Sequence, residues 1–345
     1  MDVTVAICTY NGAERLPLVL DCLKSQAFSP EIDWEIVVVN NNSYDQTAQV
    51  VSFYQAVSKF GQRLRYVSEA KQGIAYARRR AVQIAEGELI AFLDDDNLPT
   101  SQWLQAVFDF GRQHSAAGAY GSQIVGRYEV PPPPDFDRIA CFLAVIDRGD
   151  RPFRYDQIKS WLFPAGAGLV VRKQAWLESV PEQPVLSGVR AQQLSEKGED
   201  IETLSYLRKA GWQIWHNPAM QIEHMIGCDR LSPSYLMKLF RGVGLSRHHT
   251  RTIRFRQWQK PFAVCAYVLR DVSRLLVYSI EHWNHRSAIV NQCELTLLRY
   301  SLLSPAYHVV HQLRKKVSFV RRRAAVSTGC VKASTCLSSV NIDSS

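Results

Sequence analysis

Residues 89–96 read Leu-Ile-Ala-Phe-Leu-Asp-Asp-Asp, an apolar run that ends in three consecutive carboxylates. Gly87 precedes the run and Asn97-Leu98-Pro99 follows it. Such a stretch reads as a strand buried on both faces, the kind found in a parallel sheet. Ligands of open α/β sheets bind at the carboxyl ends of the strands. Asp94, Asp95 and Asp96 therefore stand where chemistry is expected. Adjacent like charges repel, and two readings of the triplet are open. One is a solvated acidic turn. The other is a hard divalent cation, Mg²⁺ or Mn²⁺, held among the aspartates and shared with substrate phosphates.

The residues ahead of this strand set its context. Residues 3–8 read as a strand, 9–12 as a turn, and Leu16, Leu20 and Leu23 fall at helical spacing. Residues 34–39 read as a second strand ending at Asn40-Asn41-Asn42-Ser43, and 44–59 as a second helix. A short strand near 64–67 leads through Lys71-Gln72-Gly73 to a helix ending at Ala85. Strands alternating with helices of this length predict βαβ units, right-handed crossovers and a parallel sheet. Asn11-Gly12 and Asn41-Asn42 also suit turns that need left-handed backbone. Neither GxGxxG after the first strand nor GxxxxGK[ST] is present, which disfavours a dinucleotide-binding domain and a P-loop NTPase.

Four stretches in order carry a resemblance: Ala6-Ile7-Cys8-Thr9-Tyr10-Asn11-Gly12, Ile36 to Ser43, Gly73-Ile74-Ala75-Tyr76-Ala77-Arg78, and Phe92 to Asp96. Together they resemble the successive motifs of family 2 glycosyltransferases of the bacterial polysaccharide-biosynthesis type. The resemblance covers residues 3 to about 225 and implies a GT-A fold: Rossmann-like, α/β, with a mostly parallel central sheet flanked by helices. It implies a nucleotide-sugar site in which Thr9 and Tyr10 line the base and ribose pocket. Asn40 stands where the family usually has an aspartate that reads the base. Arg78 matches the arginine of an Ala-Arg-Asn signature whose asparagine is here Arg79. Asp94 is implied at the ribose, Asp95 beside it, and Asp96 at a divalent cation (Mn²⁺ or Mg²⁺).

Beyond position 97 the sequence reads as a helix over 98–115, a strand over 119–126, and a variable region over 127–160, partly helical near Phe142 and stiffened by Pro131 to Pro134. Pro164-Ala165-Gly166-Ala167-Gly168 is a small-residue loop running into a strand. It is a plain turn or a close approach to a ligand; the resemblance puts Gly166 beneath the donor sugar. Glu199-Asp200 opens a helix, where the helix dipole alone favours carboxylates. The resemblance makes Asp200 the base that takes the acceptor hydroxyl proton, with Glu199 as alternate base or acceptor ligand. Residues 212–215 and 220–224 read as two short strands. His224 is either a hydrogen-bonded histidine or a further metal ligand.

Charge divides the chain. The net charge is +9, yet residues 1–224 hold 22 Lys and Arg against 27 Asp and Glu, while residues 225–345 hold 19 against 5. A basic C-terminal third suggests an anionic surface as partner. Residues 262–280 are apolar apart from Arg270, Asp271 and Arg274, too charged to span a bilayer and suited to an interfacial helix or to a cover for the catalytic domain. The eight cysteines are scattered without metal-ligand spacing and read as reduced thiols. No leader pattern is read ahead of Val3.

These readings divide the chain into a catalytic domain over 1–225, a basic helical extension over 226–323 and a disordered tail over 324–345. Within the catalytic domain, 1–97 is the nucleotide-sugar half and 98–225 the acceptor half. The expected function is inverting transfer of a sugar from a UDP- or GDP-sugar to a glycan or lipid-linked acceptor, by a cytoplasmic protein peripheral to the inner face of the plasma membrane. A nucleotidyltransferase on a similar sheet needs no Asp200. A non-enzymatic module that binds membrane or nucleic acid explains only the basic third, and no recognised nucleic-acid motif is present.

Overall fold

The computed structural model of the chain describes residues 1–57, 60–157, 162–188, 197–283, 287–310 and 313. The basic clusters Lys315-Lys316 and Arg321 to Arg323, and the tail 324–345, lie outside the described residues.

The first half follows the alternation in the sequence: β1 (Val3–Thr9), α1 (Leu16–Lys24), β2 (Trp34–Asn40), α2 (Thr47–Ala56), β3 (Leu64–Ser68), α3 (Ile74–Ile84) and β4 (Leu89–Asp94). Every residue of β1 and β2 is buried, as strands covered on both faces require. Successive side chains take opposite faces. Val3, Val5 and Ile7 pack with Leu16, Leu20, Trp103 and Leu104 on one side. Ala6 and Cys8 pack with Ala77, Ala81, Leu204 and Leu207 on the other.

The second half contains β5 (Asn97–Pro99), α4 (Trp103–Gln113), β6 (Ala117–Tyr128), β7 (Phe153–Arg154), β8 (Val170–Arg172), α5 (Lys173–Ser179), α6 (Glu199–Lys209) and β9 (Gln213–Ile226). The described strands form one nine-stranded sheet in the order β3-β2-β1-β4-β8-β6-β9-β5, with β7 on β9. The pairs among β3, β2, β1 and β4 are parallel. Past β4 the sheet is mixed, because β8 runs antiparallel to both β4 and β6 whereas β6 and β9 are parallel.

Two local differences from the sequence reading matter for the site. The stretch after the aspartates is not helix from residue 98. Asn97–Pro99 first pairs antiparallel with β9, setting Asn97 opposite His224. The segments expected as two strands over 212–224 are one strand, β9, whose register on β6 shifts between the Ser122↔Asn217 and Gln123↔Gln221 pairs. Pro218 falls in that shift, where its missing N–H costs no ladder bond.

Past β9 the chain continues through α7 (Cys228–Leu231), α8 (Pro233–Thr252) and α9 (Lys260–Glu281), and residues 289–310 form a further helix. Leu236, Leu239 and Phe240 pack with Val290 and Leu297 against Phe136, Ile139 and Leu143. This third cluster joins residues on both sides of position 225. The only buried residue of α9 is Asp271, while Phe262, Leu269, Leu276 and Ile280 are exposed. Its apolar stripe thus faces away from the protein. Among the described residues no helix is long and apolar enough to cross a membrane. The described cysteines, Cys8, Cys22, Cys141, Cys228, Cys265 and Cys293, are free thiols.

Candidate active site

A cavity of about 800 Å³ opens at the carboxyl ends of β1 and β4. Thr9, Tyr10, Arg78, Asp94, Asp95, Asp96 and Glu199 line it, together with Arg15, Asn41 and Arg230. The three aspartates, equivalent in the sequence, have separate surroundings. Asp94 is half-exposed, and its Oδ1 lies 3.3 Å from Arg78 Nη2. Asp95 is buried and accepts from Thr9 Oγ1 at 2.6 Å and from Arg15 Nε and Nη2 at 3.0 and 3.1 Å. Burial raises its pKa, and Arg15 and Thr9 oppose that rise. Asp95 and Thr9 therefore hold the strand end together. Gly12 completes the knot, since a Cβ there would lie 2.1 Å from Thr9 Oγ1 and 2.4 Å from Asp95 Oδ2.

Asp96 faces the other way. Its Oδ2 lies 3.4 Å from His224 Nε2 and accepts from Arg230 Nη1 at 2.7 Å. Burial alone would raise this carboxyl, but His224 and Arg230 hold it down to about 2, so it is ionised at neutral pH. The β5–β9 pair brings His224 here, and the Met225 N–H donates to the Asp96 carbonyl at 2.9 Å. A carboxylate oxygen and an imidazole nitrogen at this separation suit adjacent ligands of one divalent ion, with Mn²⁺ favoured over Mg²⁺ by the nitrogen. Among the described residues no group of three or more His, Cys, Asp or Glu could hold a metal. An ion held here would draw its remaining ligands from phosphate and water, as such ions commonly do. Arg230 Nη1 lies 3.1 Å from His224 Nε2 as well, so a guanidinium is already placed beside both side chains.

Arg78 connects the two ends of the site. It is 6% exposed. Its Nη2 meets Asp94, and its Nη1 lies 3.7 Å from Glu199 Oε1. Burial alone would lower its pKa, but Asp94, Glu199 and Asp200 raise it. Glu199 lines the main cavity, whereas Asp200 lines a small adjoining pocket with Arg78, Phe92 and Leu169. Asp200 Oδ2 accepts from the Gly166 N–H at 3.1 Å and Oδ1 from the Ile201 N–H at 2.8 Å. Desolvation and then the Glu199 charge raise its carboxyl to about 6, against the opposing pull of Arg78 and those two N–H groups. Gly198 holds φ +107° ahead of this helix, a conformation open to glycine.

Gly166 packs under Arg78. A Cβ at residue 166 would lie 2.4 Å from Arg78 Nη1 and 2.8 Å from its Cζ. Gly166→Ala is expected to push the guanidinium off Asp94 and Glu199 and to destabilise the fold by about 1–3 kcal/mol, the usual cost of overpacking. A thermal melt together with nucleotide titration checks this, and parental values for both would remove the close approach as a requirement.

Asn40 does not line the cavity. Its Nδ2 donates to Tyr66 Oη at 2.7 Å and its Oδ1 accepts from the Ser43 N–H at 2.9 Å. Asn41 lies at the cavity instead, bonded to the Glu69 and Lys71 carbonyls and to the Gly73 N–H. Sequence reasoning also passed over Arg15 and Arg230. The place of Arg15 one turn after Asn11 was a usable signal. Arg230 merged into the basic extension, and nothing local marks it.

A parallel half-sheet ending in carboxylates, with a second acidic pair at a helix start beside the same cavity, is the arrangement of a GT-A fold. Residues 4–174 match the model of Glycosyl transferase family 2, and this part of the chain is a domain of that family. Glycosyltransferase AglE of Haloferax volcanii is 32% identical over 103 residues, which cover 30% of this chain and 33% of AglE. The UDP-Glc:alpha-D-GlcNAc-diphosphoundecaprenol beta-1,3-glucosyltransferase WfgD of Escherichia coli is 24% identical over 160 residues, covering 42% of this chain and 60% of WfgD. The matched part thus spans about a third of AglE and under two thirds of WfgD. The crystal structure of Staphylococcus aureus TarS 1–349 superposes with a TM-score of 0.50 at 16% identity, over 89% of this chain and 91% of that one. At that identity the likeness shows the fold.

Proposed function

We propose that the protein is an inverting glycosyltransferase that moves a sugar from a nucleotide-diphospho-sugar to an acceptor hydroxyl in polysaccharide or lipid-linked glycan synthesis. The observation that carries this reading is the Arg78 bridge. One buried guanidinium ties Asp94, at the nucleotide end, to Glu199 on the far side, within reach of the Asp200 charge. In this reading Tyr10 and Asn41 face the base and ribose, and Asp94 the ribose or sugar. Asp96 and His224 would hold a divalent ion, which would supply neutralising charge to the diphosphate. Asp200 takes the acceptor hydroxyl proton while that oxygen bonds to the anomeric carbon and the bond to the diphosphate oxygen breaks. A base opposite the leaving group inverts the centre. The likeness to WfgD, named for UDP-glucose and a diphosphoundecaprenol acceptor, supports a UDP-sugar donor and a lipid-linked acceptor. A thermal-shift panel of nucleotides and nucleotide sugars with Mn²⁺ or Mg²⁺ tests the donor site. Absence of any nucleotide-dependent shift would overturn the reading.

The basic helical third is read as a docking element for an anionic membrane surface, on the cytoplasmic face. The outward stripe of α9 is the support: Phe262, Leu269, Leu276 and Ile280 are exposed. Each contributes about 1.5–3 kcal/mol if buried. Basic residues near the surface add about 1 kcal/mol each, and salt screens that part. The protein is therefore expected to float with phosphatidylglycerol vesicles, less at high salt but still measurably. Leu276→Ser with Ile280→Ser should remove the salt-resistant part. Equal, negligible flotation with neutral and anionic vesicles would leave these helices as a cover for the catalytic domain.

A further inference from the structure

A second cavity, of about 350 Å³, lies between α9 and the helix over 289–310, away from the site just described. Arg247 of α8, Ser273, Arg274 and Val277 of α9, and Leu297 and Leu298 line it. Arg247 Nη1 is buried and has no hydrogen-bond partner among the described residues. Asp271, the carboxylate whose charge acts on Arg247, is taken up by other donors. Asp271 accepts from Arg251 at 2.5 and 3.2 Å and from Ser301 Oγ at 2.7 Å. Burial, then Arg251, with Arg274 and Arg270 farther out, lower the Arg247 guanidinium to about 9, and Asp271 only partly offsets them. It remains charged at neutral pH. A buried cation without a matched partner is costly, and an anion in this cavity would supply the partner.

The walls also speak for the kind of anion. Val277 lines the cavity and is itself exposed. It borders the outward stripe of Leu276 and Ile280 on the same helix. An amphiphile with a phosphate in the cavity can thus lay its chains along α9. Two glutamates also line the cavity. Glu294 is bound by Arg138 and by the Tyr278 hydroxyl. Glu281 lies two helical turns, about 10 Å, beyond Arg274, and so marks the end of the cavity away from the guanidinium groups.

We infer that this cavity holds the phosphate of a membrane lipid head group between Arg247 and Arg274, with the acyl chains against the outward face of α9. This assignment rests on the membrane reading above and adds a stoichiometric lipid site to it. Arg247 and Arg274 donate charge-assisted hydrogen bonds to the phosphate oxygens, Leu297 and Leu298 close the inner wall, and Val277 meets the start of the chains.

Calorimetric titration with dihexanoylphosphatidylglycerol below its micelle concentration tests it on the full chain, beside a titration with inorganic phosphate. One lipid per protein is expected, weakened at least about ten-fold by Arg247→Gln or Arg274→Gln, charge-assisted hydrogen bonds being worth about 1.5–3 kcal/mol. Inorganic phosphate should bind at least as much more weakly. Arg274 is exposed, so Arg274→Gln keeps the test open if Arg247→Gln fails to fold. Lipid uptake unchanged in both variants, or absent in the parent, overturns the site. Inorganic phosphate bound as tightly as the lipid overturns the lipid as its source. Vesicle flotation separates this from the membrane reading. A parent that floats while both arginine variants take up the lipid as the parent does sinks the site alone. A parent that takes up the short-chain lipid but never floats sinks the membrane reading alone.

Discussion

Asp200→Asn is expected to bind the nucleotide donor like the parent and to lose transfer by on the order of 10²–10⁴-fold, the usual contribution of a general base. Donor affinity should survive because the main cavity is lined by Glu199 and not by Asp200. The pH profile gives an independent check. The Asp200 carboxyl is raised to about 6 by desolvation and by Glu199, and a base works only when deprotonated. In the parent, kcat/KM should therefore fall about ten-fold per pH unit below that value and level off above it. The residual rate of Asp200→Asn should lack this limb. Near-parental turnover by a folded Asp200→Asn protein would move the base, with Glu199 next because it reaches the cavity directly. Glu199→Gln is the companion variant: loss of acceptor affinity with a preserved pH limb would make it an acceptor ligand.

The second large effect concerns Asp96. In the parent, Mn²⁺ is expected to tighten UDP binding, and Asp96→Asn should abolish that gain. The expected loss is at least about the 10–100-fold that disturbing even an outer partner of a metal site costs. Without metal, the two proteins should bind UDP within a few-fold of each other. Calorimetry with and without Mn²⁺ measures all four affinities. If they are equal, the metal assignment fails and Arg230, 2.7 Å from Asp96 Oδ2, becomes the cation nearest the diphosphate. His224→Ala should reproduce the metal defect more mildly, since a carboxylate ligand remains.

Much of the fold was legible because its determinants are local. β1, β2 and β4 are apolar runs broken only by Thr4 and Glu35 ahead of their carboxyl ends, and the residues that follow them (Asn11, Asn42 and the aspartates) are ones that strands tolerate poorly. Asn11 and Asn42 hold positive φ. Helices α1, α3 and α6 were marked by spacing and by acidic or glycine starts. The second half was harder to read because its strands pair across long separations and one is very short. Three residues, Asn97–Pro99, carry too little pattern to announce an antiparallel edge strand. A proline inside β9 divided one strand into two in the sequence reading.

The site shows the same division. The sequence by itself determined which residue types stand at the ends of β1, β2 and β4 and at the start of α6, because alternation and chain order place strand ends together. Only the tertiary structure decided how three adjacent aspartates divide. Asp95 turns in to Thr9 and Arg15, Asp94 meets Arg78, and Asp96 meets His224 and Arg230. It also exchanged Asn40 for Asn41 at the cavity, because the Asn40 amide is taken up by Tyr66 and Ser43. The physical reason is that the path of the chain carries backbone placement, whereas a charged side chain takes the orientation of its nearest compensating charge. Those partners, the Arg15, Arg78 and Arg230 guanidinium groups and the His224 imidazole, come from four different parts of the chain that meet only once the sheet has closed.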